Sequence, residues 1–592
     1  MDEPMNNSDT LSTKVKVIGT VFLIAQLLLA INNYGPHEIP GLNLLFNEAW
    51  IPAEEVSLQQ LTYGEPAAFS FEDVTETSGL QDFYRAKVNE INPSYLEVMS
   101  GGAAVGDVDG DGLEDILLLS IPSFKENPEK EASSTTLYKN NGDGTFTDIT
   151  DEAGLSNVIG YPLGVLFFDF NNSGRQDLYI TSYDGGQLFR NDGGVFTDIT
   201  KEAGLTLDGK CGSLPCFSSA ASTADYNRDG HLDLYIVNNV NWDINDPAHY
   251  GETQLFPAFF KAQESFLFKN SGDGTFTDVA QEAGVANEDG KGLSAIWFDF
   301  NNDQWPDLYI ANDLSRNRLY VNRGDDTFTD IAAYSGIDEI KSSMGLTTGD
   351  YNGDNRIDFV ITNLEGSFLS LFRNLQDLRF EYATHYSGLN SSRRSSGWGV
   401  EFADLNLDGH LDLVMAAGPV WDTMPKNTEN LFFENKGDGT FTERTLSAGT
   451  FTNSFVSRGL ALLDIENNGK PDLLFSNIDG SSPQLLLNST NNDNHWLKLT
   501  LEGTESNRDA VGTIVRIERS DGHRITQHVK AGGSYQSTST KSLFFGLGSA
   551  DVARMTIEWP TGKTQLFKNV PIDTTLHIVE DLSSLTEYAD HK

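Results

Sequence analysis

The sequence predicts an all-β protein, a seven-bladed β-propeller followed by a small C-terminal β-sandwich. Three observations predict it. An acidic loop recurs seven times in one register, a second hairpin follows in every unit, and the two strand types flanking those hairpins both occur seven times. The chain has 592 residues, so burying a core is no difficulty. Fifty-five glycines and 11% aromatic residues suit many short strands joined by tight turns.

At the N-terminus, Lys14 and Lys16 precede an apolar run from Val17 to Ile31, interrupted by Gly19, Thr20 and Gln26. A run of this length flanked by lysines reads as a signal-peptide core or an uncleaved signal anchor. The expected location is therefore outside the cytoplasm: periplasmic, cell-surface or secreted, with residues 17–31 available as a membrane tether. Residues 32–65, with Pro36, Pro40 and Pro52 and no sustained period, read as a linker.

The propeller is expected over residues 66–490. An apolar strand such as Ala295-Ile-Trp-Phe298 enters each acidic loop, and a β-branched or aromatic strand such as Leu308-Tyr-Ile310 leaves it. A second hairpin follows, as in Leu137-Tyr-Lys-Asn140, the turn Asn141-Gly-Asp-Gly144, and a strand led by Phe146. Asn-Gly and Asp-Gly supply the positive φ that tight hairpin turns require. Phenylalanine-led strands begin at Phe71, Phe146, Phe196, Phe276, Phe328, Phe380 and Phe441, and the last leucine-led strand is Leu485-Leu-Leu-Asn488. The first phenylalanine strand thus precedes the first acidic loop, and it is expected to complete the final blade. Joining the two ends in this way removes the exposed sheet edge of an open array.

Each acidic loop offers side-chain oxygens at positions 1, 3, 5 and 9 and a backbone carbonyl at position 7, the ligand order of an EF-hand calcium loop without its helices. Five loops are complete. They are Asp107, Asp109, Asp111, Leu113 and Asp115; Asp225, Asn227, Asp229, His231 and Asp233; Asp299, Asn301, Asp303, Trp305 and Asp307; Asp350, Asn352, Asp354, Arg356 and Asp358; and Asp404, Asn406, Asp408, His410 and Asp412. Two are weaker, Asp169, Asn171, Ser173, Arg175 and Asp177, and Asp464, Glu466, Asn468, Lys470 and Asp472, because position 5 lacks a carboxylate. Hard oxygen donors in a flexible loop favour calcium over zinc, and magnesium demands stricter octahedral geometry, so calcium is the expected cofactor. The bland reading of the same aspartates is side-chain-to-backbone turns. At dissociation constants of roughly 0.1–1 mM and millimolar calcium, each site would contribute about 0.4 to 1.4 kcal/mol.

Forty basic against 86 acidic residues leave a formal charge of −46, which excludes nucleic acid and anionic lipid as natural partners. Two cysteines, Cys211 and Cys216, are too few for a disulfide framework or a four-thiolate metal site; they read as a local disulfide or as two free thiols.

The repeating unit resembles the FG-GAP/VCBS repeat of integrin α-subunit propellers and secreted bacterial propellers, over residues 70–490. The segment 494–580 resembles the UnbV-like module that ends members of the cartilage acidic protein family. Its motifs are Asn494-His-Trp-Leu-Lys498, Ser506-Asn-Arg-Asp-Ala-Val-Gly512, Ala531-Gly-Gly-Ser-Tyr535, Phe545-Gly-Leu-Gly548 and Ile557-Glu-Trp-Pro-Thr-Gly562. The same segment alternates apolar and polar residues between glycine turns, which gives a small β-sandwich. The resemblance implies an exported calcium-binding protein of the adhesion or matrix-interaction kind. It implies no reaction.

Catalytic constellations are missing from the sequence. Thr561-Gly-Lys-Thr564 lacks the leading glycine of a phosphate loop and reads as a hairpin turn, and there is no Gly-x-Ser-x-Gly elbow. The candidate ligand face is the set of long loops after each blade's second strand, with Trp242, Asp243 and Tyr250 in blade three and Trp421 and Asp422 in blade six. Exposed aromatics beside carboxylates suit stacking on sugar rings or anchoring a protein, although aromatics in long loops also pack their own loops. The expected function is non-catalytic binding of a surface glycan or protein. The alternative is a calcium-dependent polysaccharide lyase or sugar dehydratase on the same scaffold.

Overall fold

The computed structural model describes residues 69–83, 94–120, 135–158, 160–249, 257–420, 429–452, 455–582 and 585–587. The apolar run 17–31 and the linker 32–65 lie outside them. Among the described residues no helix is long and apolar enough to cross a membrane.

The described residues of 69–490 form seven four-stranded antiparallel units. Blade one is Ala103–Gly106, Asp115–Leu119, Thr135–Asn140 and Phe146–Asp148. The inner strands of the others are Tyr161–Phe168, Ser218–Ala224, Gly292–Phe298, Ile340–Gly349, Gly397–Ala403 and Ser457–Leu463. These strands touch in chain order, and Ser457–Leu463 also touches Ala103–Gly106, so the circuit closes. Blades four and five are further joined by pairing of Asp313 with Ser342 and Arg316 with Ile340, which merges them into one eight-stranded sheet.

The closure read from the sequence is present. Phe71–Asp73 pairs antiparallel with Gln484–Asn488, Phe71 opposite Asn488, and supplies the fourth strand of blade seven. In every blade the second strand begins at the ninth loop residue and the third ends at an asparagine. Apolar side chains from facing blades fill the spaces between sheets, such as Val400, Phe402, Leu413 and Phe433 against Val360 and Leu371.

The C-terminal domain is two four-stranded sheets. One is ordered Leu543–Gly548, His495–Glu502, Thr574–Val579, Thr586–Glu587; the other is Arg524–His528, Ile514–Arg519, Val552–Glu558, Thr564–Phe567. Leu497, Leu499, Val515, Ile557 and Ile578 are buried between them, and the apolar cluster runs on into blades two and three. Thr561-Gly-Lys-Thr564 is a hairpin turn, with Gly562 at φ +86°.

Between those sheets the chain leaves the sandwich. Residues 531–540 run along the inner strands of the propeller and bond to every blade. Backbone bonds join Thr538 to Ala103 and Val105, Gln536 to Val165, Ala531 to Thr223, Ser534 to Leu346 and Thr540 to Leu462. Ser294 donates to the Ser534 carbonyl (3.1 Å), and Ser539 donates to Glu401 of blade six (2.9 Å). The backbone partners among these are inner N–H and C=O groups that a bare axial channel would leave to water. The approach is close enough to require glycine at Gly345, where a Cβ would lie 2.1 Å from the Trp398 carbonyl and 2.9 Å from that of Ser534. At the far end the axis is covered by a short helix, Tyr95–Met99, started by a capping box between Ser94 and Glu97.

Candidate metal centres

Seven loops of one design lie on the face that carries the C-terminal domain. In each, the position-1 carboxylate accepts the N–H of position 5 through Oδ1 and that of position 6 through Oδ2, at 2.6–3.1 Å. Positions 4 and 6 take positive φ in all seven, including Leu407 (+61°) and Gln304 (+73°). These bonds are the side-chain-to-backbone turns of the bland reading. In blades one to six the position-3 side chain accepts the position-5 N–H as well, so the oxygens of positions 1 and 3 converge on one amide, a gathering that a cation loop needs.

Position 9 does something the sequence did not reveal. Its Oδ1 accepts the backbone N–H of the asparagine that ends the third strand, at 2.7–2.9 Å in every blade. That asparagine's amide donates to the position-8 carbonyl of its own loop. From Asn191 onward it also donates to the position-2 carbonyl of the preceding blade's loop, as Asn435 does to Tyr351 (2.7 Å). One side chain therefore ties loop, strand and neighbouring blade. The signal was legible as an asparagine recurring at 140, 191, 270, 322, 374, 435 and 488.

Burial makes these carboxylates costly to charge. It pushes Asp115 up to about 7 and Asp177 to about 8, and holds Asp233, Asp307, Asp358, Asp412 and Asp472 well above the usual range despite their backbone bonds. At position 1, burial pushes Asp225 and Asp350 up to about 7 and Asp299 to about 6. In blade one, Asp107, Asp109 and Asp115 each offer an oxygen within 4.8 Å of the other two. A carboxylate oxygen that accepts one N–H keeps a further lone pair, so the oxygen-only donor set fits a hard divalent cation. Here the ammonium of Lys139, one-third exposed, reaches Asp109 and Asp111 and would have to turn to water to admit one.

The C-terminal domain contacts several of these loops directly. Arg508 N–H donates to Asn172 and Asp509 accepts from Asp169 N–H in blade two. Arg516 bonds the Asn355 carbonyl in blade five, and Arg519 bonds the Asp408 carbonyl in blade six. Gly546 packs so closely on Asp404 that a Cβ there would lie 2.0 Å from Oδ2. In blade seven, Lys498 Nζ donates to Asp464 Oδ2 and Asn467 Oδ1, both at 3.0 Å.

The expected ligand face changes most. Trp242 is not exposed: it is fully buried, edge-on to Tyr183 (5.5 Å) and Phe217 (6.5 Å), with its indole N–H donating to the His249 carbonyl (3.3 Å). A large apolar ring next to the covered axial end gains more from packing there than from facing water. Asp243 is half-buried and turns its Oδ1 to the Asn245 N–H. Tyr250, Trp421 and Asp422 lie outside the described residues. Cys211 and Cys216 form a disulfide.

The chain matches the FG-GAP-like repeat over residues 107–180, 169–236, 299–361 and 350–415, and ASPIC and UnbV over residues 503–584. It is 23% identical over 517 residues to Cartilage acidic protein 1 of Xenopus tropicalis, covering 83% of this chain and 74% of that one. To the Homo sapiens protein of the same name it is 26% identical over 348 residues, covering 55% and 49%. Among solved structures, an N-acetylglucosamine-recognising lectin of Agrocybe aegerita aligns at 18% identity and TM-score 0.38, over 64% of this chain and 86% of that one. A rhamnogalacturonan lyase of Bacillus licheniformis aligns at 13% and TM-score 0.37, over 66% and 72%.

Proposed function

Because the chain carries FG-GAP-like repeats and a C-terminal ASPIC and UnbV domain and is homologous to cartilage acidic protein 1, we propose that it is an exported, calcium-stabilised propeller that binds a surface glycan or protein without catalysis. The observation that carries the calcium reading is the repeated donor set: five complete loops in one register, each holding buried carboxylates whose mutual repulsion a divalent cation would offset. Export is supported by the Cys211–Cys216 disulfide, a bond that persists in oxidising compartments. Binding is assigned to the rim, because residues 531–540 and the helix Tyr95–Met99 fill the axis from its two ends.

Metal analysis of the desalted protein tests the first part. At least five calcium ions per chain are expected, and a count near zero with melting unchanged by chelator overturns the calcium reading. Glycan and surface-protein arrays with and without chelator test the second. Binding that chelator abolishes supports the assignment, and silence across both arrays overturns it.

A further inference from the structure

The seven loops are not equivalent, and blade seven differs from the others in what lies against its position-1 carboxylate. Lys498, on the strand His495–Glu502, sends its ammonium into that loop. It donates to Asp464 Oδ2 and to Asn467 Oδ1 at 3.0 Å each and lies 3.9 Å from Glu114 Oε1. Its side chain is 3% exposed, beside that of Asp464 at 0%, and the Phe544 ring lies 5.5 Å from its nitrogen. The ammonium is thus out of water but paired with Asp464 and faced by Glu114, the partners a buried charge requires.

We propose that the structure assigns the cation of the blade-seven loop to Lys498: the loop takes no metal ion, and the tethered ammonium fills that role while fastening the C-terminal domain to the propeller. Three observations converge on this. The loop is the one with a neutral asparagine, Asn468, at position 5, and its third carboxylate sits instead on the longer Glu466 at position 3, so the charge is placed differently from that of the complete loops. The ammonium already neutralises the carboxylate that a metal would need, at hydrogen-bond distance. Unlike Lys139 of blade one, whose side chain is one-third exposed and has water to turn into, Lys498 has no solvent to retreat into. A divalent ion entering here would confront a buried like charge, and removing the lysine from the site would mean lifting the domain.

The same neighbourhood explains why the pair sits between domains. Glu114 of blade one accepts the Asp464 N–H (2.7 Å) and also takes a hydroxyl bond from Thr540 at the end of the axial segment. The junction of the first and last blades is thus closed by a charge cluster that is complete only with the C-terminal domain in place.

The metal-count half of this inference rests on the calcium reading of the other loops; the ion-pair half does not, and the tests separate them. In the full chain, Asp225→Asn is expected to lower bound calcium by one ion per chain, whereas Asp464→Asn leaves the count unchanged. A loss of one ion on Asp464→Asn overturns the proposal. A wild-type count near zero would sink the calcium reading instead, and the second experiment then decides alone. That experiment is a double-mutant cycle in excess chelator with Asp464→Asn and Lys498→Met, read by melting. Each single change is expected to lower the melting temperature, and the double variant to fall less than the sum of the two. Strictly additive shifts would show that the pair carries no coupling and overturn the assignment.

Discussion

Tyr535 of the C-terminal domain donates its phenolic hydrogen to the backbone carbonyl of Met99, at 2.8 Å, on the helix that covers the opposite end of the propeller. Its ring meets Trp398 edge-on at 4.9 Å, and the Arg458 guanidinium lies 3.8 Å over the other ring of that pair. Three parts of the chain far apart in sequence therefore share one contact. Tyr535→Phe is expected to cost about 1 to 2 kcal/mol through the lost hydrogen bond, and Tyr535→Ala about 3 to 5 kcal/mol through the cavity. Urea unfolding followed by tryptophan fluorescence checks this. If Tyr535→Ala left the transition where it was, the axial segment would not be a clamp.

Asn435 repays a separate test because it serves two blades. Its amide donates to Tyr351 O and Leu411 O, and its N–H to Asp412. Asn435→Ala leaves two buried carbonyls short of a donor and is expected to cost about 2 to 4 kcal/mol. Asn435→Asp, which keeps the shape but loses both donors, should cost at least as much. Thermal melting of the two variants gives the comparison.

The burial of Trp242 sets stability against recognition. Trp242→Ala should lower stability by about 3 to 5 kcal/mol, measured by denaturant titration. Ligand binding at temperatures where the variant stays folded should be unchanged. A variant of native stability that had lost binding would return Trp242 to the ligand face.

His528 gives the protein a pH dependence of known sign. It is buried at the junction of the two domains, with Nε2 3.0 Å from Thr348 Oγ1 and its ring 4.4 Å from Phe298. Burial, with Lys530 nearby, holds it down at about 3. The unfolded chain takes up this proton near 6.5 and the folded one does not. Stability is therefore full above about pH 6.5 and falls by about 1.4 kcal/mol per unit as pH drops from there towards 3. The buried carboxylates slope the other way, so the measurement is a difference. Subtracting the profile of His528→Gln from that of the wild type should leave the histidine's slope, and parallel profiles would refute it.

What the sequence made legible follows from what is local. Strand alternation, glycine turns and loop register are set by neighbours in the chain, so the blades and the return of Phe71 to Leu485-Leu-Leu-Asn488 could be read directly. The axial segment could not. Ala531-Gly-Gly-Ser-Tyr535 was visible as a motif, but its hydrogen-bond partners lie up to several hundred residues away, and no periodicity encodes them. Its composition was the available clue: ten residues from Ala531 to Thr540 without a charge, in a chain where 21% of residues are charged. Lys498 was hidden for the same reason, since position 5 marked its loop as weak but not that an ammonium from the C-terminal domain lies against Asp464. Trp242 misled because a long loop was equated with exposure, when the covered end of the axis offered it a core.

The closing strand also sets a schedule for assembly. Phe71–Asp73 leaves the ribosome early and its partner strand late; Ser70 and Thr490, bonded at the same seam, are 420 residues apart. At ordinary elongation rates that gap is roughly 20 to 80 s. Through that interval an opening strand waits unpaired, and the ring has two raw edges that invite other chains. The piece that fills its axis is made later still. Synthesis order thus puts the fastening after the ring, and a chain that stops short of residue 531 would hold every blade yet lack the segment that binds them to one another.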